Sequence, residues 1–412
     1  LNYQSEPLQK LQADLDFSKI KDFKPLQFVG TIDGQGHKIK NLEIKNKDLE
    51  CITVQGSQQC DINVGIFGRS DYLQIQNIYF ENISVQYISN ETLEMLTIGI
   101  LLGQGNIRMI NTSMISCIVN LQNFTDVKTL DVGGVVGHTY NLLDITNSII
   151  DLTMVINGTK KTSIVHGGGV AGNAYKASDQ MIIYKTNLTI NVSSNIQVIF
   201  GGISSYVFGG SVEQTTISLN TTLNVSENIV GGFFANQPNS IKILDCRNIL
   251  GGEGNKELSF GGVFAGIPDN TTQTQWNITD LVSLFALIVP PLTINVINGT
   301  KTVPCTNCYG SPLHKTPILY TYTYCNKTES DEFVLDRNVW AIEKATQLPY
   351  LIVSASGPYI PFANISVGAV IGISIGAFIV GMGVVWMVYL IKSRKSSYKI
   401  SNNIYENIDD LS

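Results

Sequence analysis

VGIFG (64–68), IGILLG (98–103), VGGVVG (132–137), GGGVAG (167–172), FGGIS (200–204), VGGFFA (230–235) and FGGVFA (260–265) are seven versions of one phrase: an apolar residue, one or two glycines, then more apolar residues. Aligning Gly65, Gly99, Gly134, Gly169, Gly202, Gly232 and Gly262 gives spacings of 34, 35, 35, 33, 30 and 30. So steady a period marks a repeat architecture, in which each unit buries its apolar side against the next. Between the phrases run IQNIYFENISVQ (75–86), INTSMISCIVNLQ (110–122), ITNSIIDLTMVIN (145–157) and YKTNLTINVSSN (184–195). Ile, Val and Leu alternate there with Thr, Asn and Ser, the period-two pattern of strands with one buried face. No amphipathic helix pattern separates them. A unit of 30 to 35 residues made of strands and glycine corners suits one coil of an all-β solenoid, stacked on the next at about 4.8 Å. A propeller blade needs about 40 to 45 residues, and a leucine-rich repeat would show its L-x-x-L-x-L phrase. The paired glycines mark corners where a Cβ would clash or φ must be positive. Asn77, Asn111 and Asn147 recur at similar places, as a stacked Asn ladder or as turn residues.

ADLDFSKIKDFKPLQFVGTIDGQGHKIKNLEI (13–44) resembles the opening coil of GLUG-motif proteins. Gly65-Ile66-Phe67-Gly68 and Gly133-Gly134-Val135-Val136-Gly137 are similar to that family's repeats, and Trp340 with Leu348-Pro349-Tyr350-Leu351 to its closing phrase. The resemblance spans about residues 11 to 352 and implies a right-handed parallel β-helix related to the pectin-lyase-like group. Residues 266–335 carry no GLUG-like unit. Within the resemblance Asp33, Gly34, Gln35, Gly36 and His37 form a turn, with the glycines bending the chain and the Asp capping it.

Val367–Ile391 holds 25 residues without a charge. As helix they span about 37 Å, enough for a hydrocarbon core of about 30 Å. Lys392, Arg394, Lys395 and Lys399 follow at once, which predicts a single-pass type I plasma-membrane protein with residues 392–412 in the cytoplasm. The chain opens at Leu1 without an initiator Met or signal peptide, as a processed product or fragment would. The expected domains are an N-terminal cap region (1–27), the β-helix (28–265), an irregular Cys-containing terminal coil region (266–360), in which 266–335 is a loop-rich insertion or an irregular last coil, the transmembrane helix (364–391) and the tail. Asn-X-Ser/Thr sequons at Asn82, Asn90, Asn111, Asn123, Asn157, Asn187, Asn191, Asn220, Asn224, Asn270, Asn277, Asn298, Asn326 and Asn364 stop before the tail, as for a glycosylated ectodomain. Asn364 lies almost at the bilayer and is expected to be unused. Gly368, Gly372 and Gly376 form two G-x-x-x-G steps, a face that permits close helix packing and a homodimer. Tyr405-Glu406-Asn407-Ile408 has the Y-x-x-Φ form that clathrin adaptors bind, with Tyr405 and Ile408 as anchors.

Seven cysteines fit an exported chain. Cys51 and Cys60 bracket a short loop, and Cys305, Cys308 and Cys325 lie close in sequence, so both groups are disulfide candidates. A zinc or redox role for the CxxC would need partners that the sequence does not offer. Cys117 and Cys246 sit in apolar stretches and read as buried thiols.

A net charge of −6, with 27 Lys+Arg against 33 Asp+Glu, argues against nucleic acid as a partner. Carbohydrate-active β-helices use acids repeated at equivalent positions of adjacent coils, whereas Asp131, Asp144, Asp151 and Asp245 do not repeat in register. The four His (His37, His138, His166, His314) form no H-E-x-x-H, and neither G-x-S-x-G nor a P-loop occurs, so no catalytic, metal or cofactor residue is assigned. The expectation is a non-enzymatic surface protein whose partners are the lipid bilayer, an extracellular glycan or protein ligand and a clathrin adaptor. A passive coat protein and a carbohydrate-active lyase or hydrolase are the alternatives.

Overall fold

The computed structural model describes residues 7–45, 61–88, 93–124, 127–158, 165–174, 181–224, 228–236, 240–254, 259–261, 275–287, 293–295, 305–312, 320–321, 340–342 and 349–351, all within one compact unit, Leu1–Gly357. It is a parallel β-solenoid. The first face stacks Asp61–Val64, Leu93–Gly99, Val127–Gly133, Val165–Gly168, Val198–Gly201, Ile229–Gly231, Ser259–Gly261, Thr293–Asn295 and Tyr320–Thr321, every neighbouring pair parallel. The second face includes Gly30–Asp33, Phe67–Gln76, Leu102–Ile110, Leu143–Thr146, Met181–Tyr184 and Gly209–Glu213. The third includes Tyr79–Glu81 with Ser84–Ile88, then Ser113–Phe124, Ile149–Gly158, Asn187–Ser194 and Thr216–Leu223. Ser240–Gly254 continues the second and third faces in one strand.

Parallel pairing starts before residue 28, with Leu8–Lys10 on Gly30–Asp33, and continues past 265 through Gln275–Leu287 and Cys305–Pro312. Trp340–Ile342 and Pro349–Leu351, from the closing phrase, pair antiparallel. Side chains alternate along Ile149–Gly158 of the third face, buried at Ile150, Leu152, Met154 and Ile156 and outward between them. The inward residues of all three faces merge in one apolar core.

Register revises the glycine alignment. Gly99 pairs with Gly133, Gly133 with Gly168, Gly168 with Gly201, Gly201 with Gly231, and Gly231 with Gly261. The repeat glycines equivalent to Gly65 and Gly99 are therefore the first of each later pair, and Gly134, Gly169, Gly202 and Gly232 stack one residue further on. The two glycines answer different contacts. A Cβ on the first, as at Gly133, would collide with the carbonyl of Val136 in its own turn; a Cβ on the second, as at Gly134, would collide with the Gly169 carbonyl of the next coil. A third glycine, Gly137, lies against the backbone of Ile98 and Gly103 in the preceding coil. The phrase V-G-G-V-V-G thus encodes backbone packed on backbone in three directions.

The corner between the second and third faces is built by one residue per coil with positive φ: Asn77, Asn111, Asn147, Lys185, Gln214 and Asp245, all between 49° and 53°. Asn tolerates this left-handed state best among residues with a Cβ, because its short amide bonds locally. After the corner come Thr112, Ser148, Thr186 and Thr215, whose hydroxyls donate to the carbonyl two residues back at 2.9–3.1 Å. Cys246 takes the same place with its thiol 3.2 Å from Leu244 O. Both Cys117 and Cys246 are buried free thiols, and burial pushes each up to about 12.

No helix among the described residues is long and apolar enough to cross a membrane. The expected transmembrane helix with Gly368, Gly372 and Gly376, the tail with Tyr405 and Ile408, and Cys51, Cys60 and Cys325 lie outside the described residues. So do Asn90, Asn270, Asn298, Asn326 and Asn364. Cys305 and Cys308 fall in one strand, in register with Ile278 and Leu281.

Candidate functional site

Three polar arrays are built on this scaffold. On the second face, register aligns Gln74, Arg108, Asp144, Ile182, Ser211 and Lys242 in one column and Gln76, Ile110, Thr146, Tyr184, Glu213 and Leu244 in the next but one. Arg108 Nε donates to Asp144 Oδ2 at 2.8 Å, and Thr146 Oγ1 donates to Asp144 Oδ1 at 3.0 Å. Lys185 Nζ lies 5.2 Å from the Tyr184 ring centroid, and Lys242 Nζ donates to Glu213 at 2.8 Å. Guanidinium, ammonium, carboxylate and phenol groups thus stand on neighbouring rungs of a rigid sheet.

The second array is a pair of amide ladders, each starting on an aspartate. Asn77 Nδ2 donates to Asp33 Oδ1 at 3.2 Å and Asn111 Nδ2 to Asn77 Oδ1 at 3.3 Å. Asn41 Nδ2 donates to Asp16 Oδ1 at 3.1 Å and Asn82 Nδ2 to Asn41 Oδ1 at 3.3 Å. The recurring Asn77 and Asn111 are thus both turn residues and ladder members. Asp33 also accepts the Gln35 amide at 3.0 Å, which is the expected capped turn. Burial works to raise its carboxyl, but bonds from Gln35 N, Asn77 and Gln76 outweigh it and hold the group below the usual range. Asp16 is likewise held below the usual range, by the Ser18 amide first and Asn41 next. His37 pairs not with Asp33 but with Asp14, at 3.2 Å.

The third array flanks the glycine corner. Asp131, fully buried, accepts or shares a hydrogen bond with His138 Nδ1 at 2.6 Å, and the imidazole lies 4.7 Å from the Tyr140 ring. Gln104, the register partner of His138 in the preceding coil, donates to the Tyr140 hydroxyl. In the following coil Asp131 pairs in register with His166 and His138 with Asn173. Asp131 Oδ1, His166 Nδ1 and Asn173 Oδ1 are buried without a hydrogen-bond partner. In the linear chain these residues stand apart and match no known catalytic phrase. Their signal is a seven-residue spacing repeated once per coil, Thr97/Gln104, Asp131/His138 and His166/Asn173, two strands joined across the same corner. A carboxylate fixing one imidazole nitrogen leaves the other for proton transfer. Among the described residues no group of three or more His, Cys, Asp or Glu is placed to hold a metal ion. The register partners are Thr97 and His166 for Asp131, Arg108 and Ile182 for Asp144, and Thr189 for Asp151.

No family model matches the chain, and no curated protein matches it. The resemblance to GLUG-motif proteins therefore rests on the quoted residues. Among solved structures, the chain is similar to a Bacteroides ovatus protein proposed to be an immunoglobulin A1 protease, with 16% identity, a TM-score of 0.43, and coverage of 84% of this chain and 86% of that one. A likeness at this level assigns no chemistry to the present chain.

Proposed function

We propose that this chain is a single-pass cell-surface protein whose GLUG-like, right-handed solenoid binds an extracellular glycan or protein. On this reading it acts by recognition rather than turnover, and the adaptor motif at Tyr405 and Ile408 serves its uptake. The observation that carries the reading is the second-face array of Arg108, Asp144, Tyr184 and Lys185, set on successive rungs whose spacing the sheet holds constant. A preorganised array loses little side-chain entropy on binding, and Arg and Tyr are the side chains that dominate recognition surfaces. The test is a glycan-array and cell-binding assay on the Leu1–Gly357 unit made in a eukaryotic secretory host. Saturable binding that weakens about tenfold or more in the Arg108→Ala/Tyr184→Ala double variant supports the reading. Absence of binding by folded protein moves the conclusion to a passive coat.

One observation favours a second reading, a carbohydrate-active lyase or hydrolase: the Asp131–His138 bond orients an imidazole as an acid–base group. Polysaccharide turnover abolished by His138→Gln would establish it. Binding without turnover would retire it.

A further inference from the structure

We infer that N-linked sugars concentrate on one face of the solenoid, the third, and that two of its sequons, Asn82 and Asn111, stay bare. The inference rests on the proposed export of the chain. Every sequon asparagine with a described side chain maps to this face or its edges: Asn82, Asn111, Asn123, Asn157, Asn187, Asn191, Asn220 and Asn224. The physical reason is the strand period. Residues i and i+2 point the same way, so an outward row of Asn, Thr and Ser spells Asn-X-Ser/Thr with the middle residue in the core. Asn187-Leu188-Thr189, Asn191-Val192-Ser193 and Asn220-Thr221-Thr222 all follow this rule, with Leu188, Val192 and Thr221 buried. Asn191 and Asn220 are exposed and pair in register on adjacent rungs. On the second face the columns of Arg108 and Tyr184 run free of sequons from Gln74 and Gln76 to Lys242 and Leu244, and then meet the sequon Asn277-Ile278-Thr279 on the next rung.

Asn82 and Asn111 differ from Asn187, Asn191 and Asn220 in two ways. Both sit at left-handed corners, with φ of 55° and 49°. Both already spend the atom that glycosylation needs, since their Nδ2 groups donate to Asn41 Oδ1 and Asn77 Oδ1 at 3.3 Å. Transfer from a polyprenyl-pyrophosphate-linked oligosaccharide forms the Nδ2–C1 bond and breaks the bond from C1 to the pyrophosphate oxygen. The pyrophosphate leaves with the electron pair, and one Nδ2 proton passes to a base. A sugar ring then occupies the ladder, whose rungs are only about 4.8 Å apart. Because transfer precedes folding, the ladder acts as a filter: chains modified at these two positions cannot close their corners.

The test uses the full-length chain from a eukaryotic secretory host, with the folded pool isolated by resistance to limited proteolysis. Enzymatic deglycosylation in ¹⁸O water converts each occupied Asn to labelled Asp, which mass spectrometry reads site by site. The expected result is label at Asn187, Asn191 and Asn220, with Asn82 and Asn111 lower by about fivefold or more, the factor one lost hydrogen bond supplies. Asn77→Ala, which removes the ladder acceptor, should raise label at Asn111 in the same pool. Equal label at Asn111 and Asn191 in the unaltered chain overturns the inference while leaving export standing. No label at any sequon overturns export, and this inference with it.

Discussion

At a corner such as Asn147 the backbone, not the side chain, sets the requirement. Its φ of 49° costs an ordinary L-residue about 1 kcal/mol or more, so Asn147→Ala should lower stability by about that amount and Asn147→Gly by less. Thermal unfolding of the pair, read against the unaltered protein, checks this order. The next residue inward obeys a different rule, a small donor that satisfies the carbonyl two back. Cys246 fills a place that Ser148 and Thr186 fill elsewhere, so Cys246→Ser should be nearly neutral, within about 1 kcal/mol, although the site is fully buried. With both thiols pushed up to about 12 by burial, Cys117 and Cys246 should resist alkylation at pH 8 until the chain is unfolded. Asp33 gives a pH signature. Its folded carboxyl titrates below the usual 3.8, so its contribution is complete above that value and is lost as pH falls through the lowered one. Acid titration of unfolding should show a decline beginning near pH 4 that is shallower in Asp33→Asn.

At the glycine corner between the first and second faces, backbone packs closely on backbone. A methyl group at Gly137 would overlap Ile98 N and lie 2.6 Å from Gly103 O, atoms that cannot move without breaking the parallel ladders. Gly137→Ala should therefore destabilise by about 3 kcal/mol, an overpacking cost, although it adds a single carbon. A similar Gly→Ala change at Gly36, where a Cβ meets nothing within 4 Å, should pay only the strain of its φ of 83°. The contrast is measurable by chemical denaturation. Period and glycine phrase were legible in the linear chain, because stacking repeats the same demand every 30 to 35 residues. The choice of the first or second glycine as the equivalent one was not, since Gly65-Ile66 and Gly99-Ile100 carry only one glycine where later coils carry two.

For the molecule as a whole, contacts run mainly from one coil to the next, so stability is close to a sum over coils and their interfaces. Removing Gly168–Phe200 joins Gly167 to Gly201 at register-equivalent positions and should leave a folded solenoid shorter by one coil. Removing half of that segment leaves an incomplete coil that cannot stack face on face with its neighbours and should abolish folding. Circular dichroism and protease resistance of the two deletions decide the matter. The same stacking explains why side chains far apart in sequence form continuous arrays, with Arg108, Asp144 and Tyr184 becoming neighbours across three successive rungs.

The sequence by itself determined that this protein is a coiled stack of parallel strands, because hydrophobic alternation and glycine period are local demands written in every repeat. It also marked Asn77, Asn111 and Asn147 as equivalent. Only the tertiary structure decided which residues meet between coils. The bond from Asp131 to His138, the register of Asp131 with His166 and the ladders started by Asp16 and Asp33 depend on register. So does the alignment of Asn191 with Asn220 on adjacent rungs of the third face. Register is set by how whole coils pack, and a shift of one residue would send each of these side chains to the opposite side of its strand.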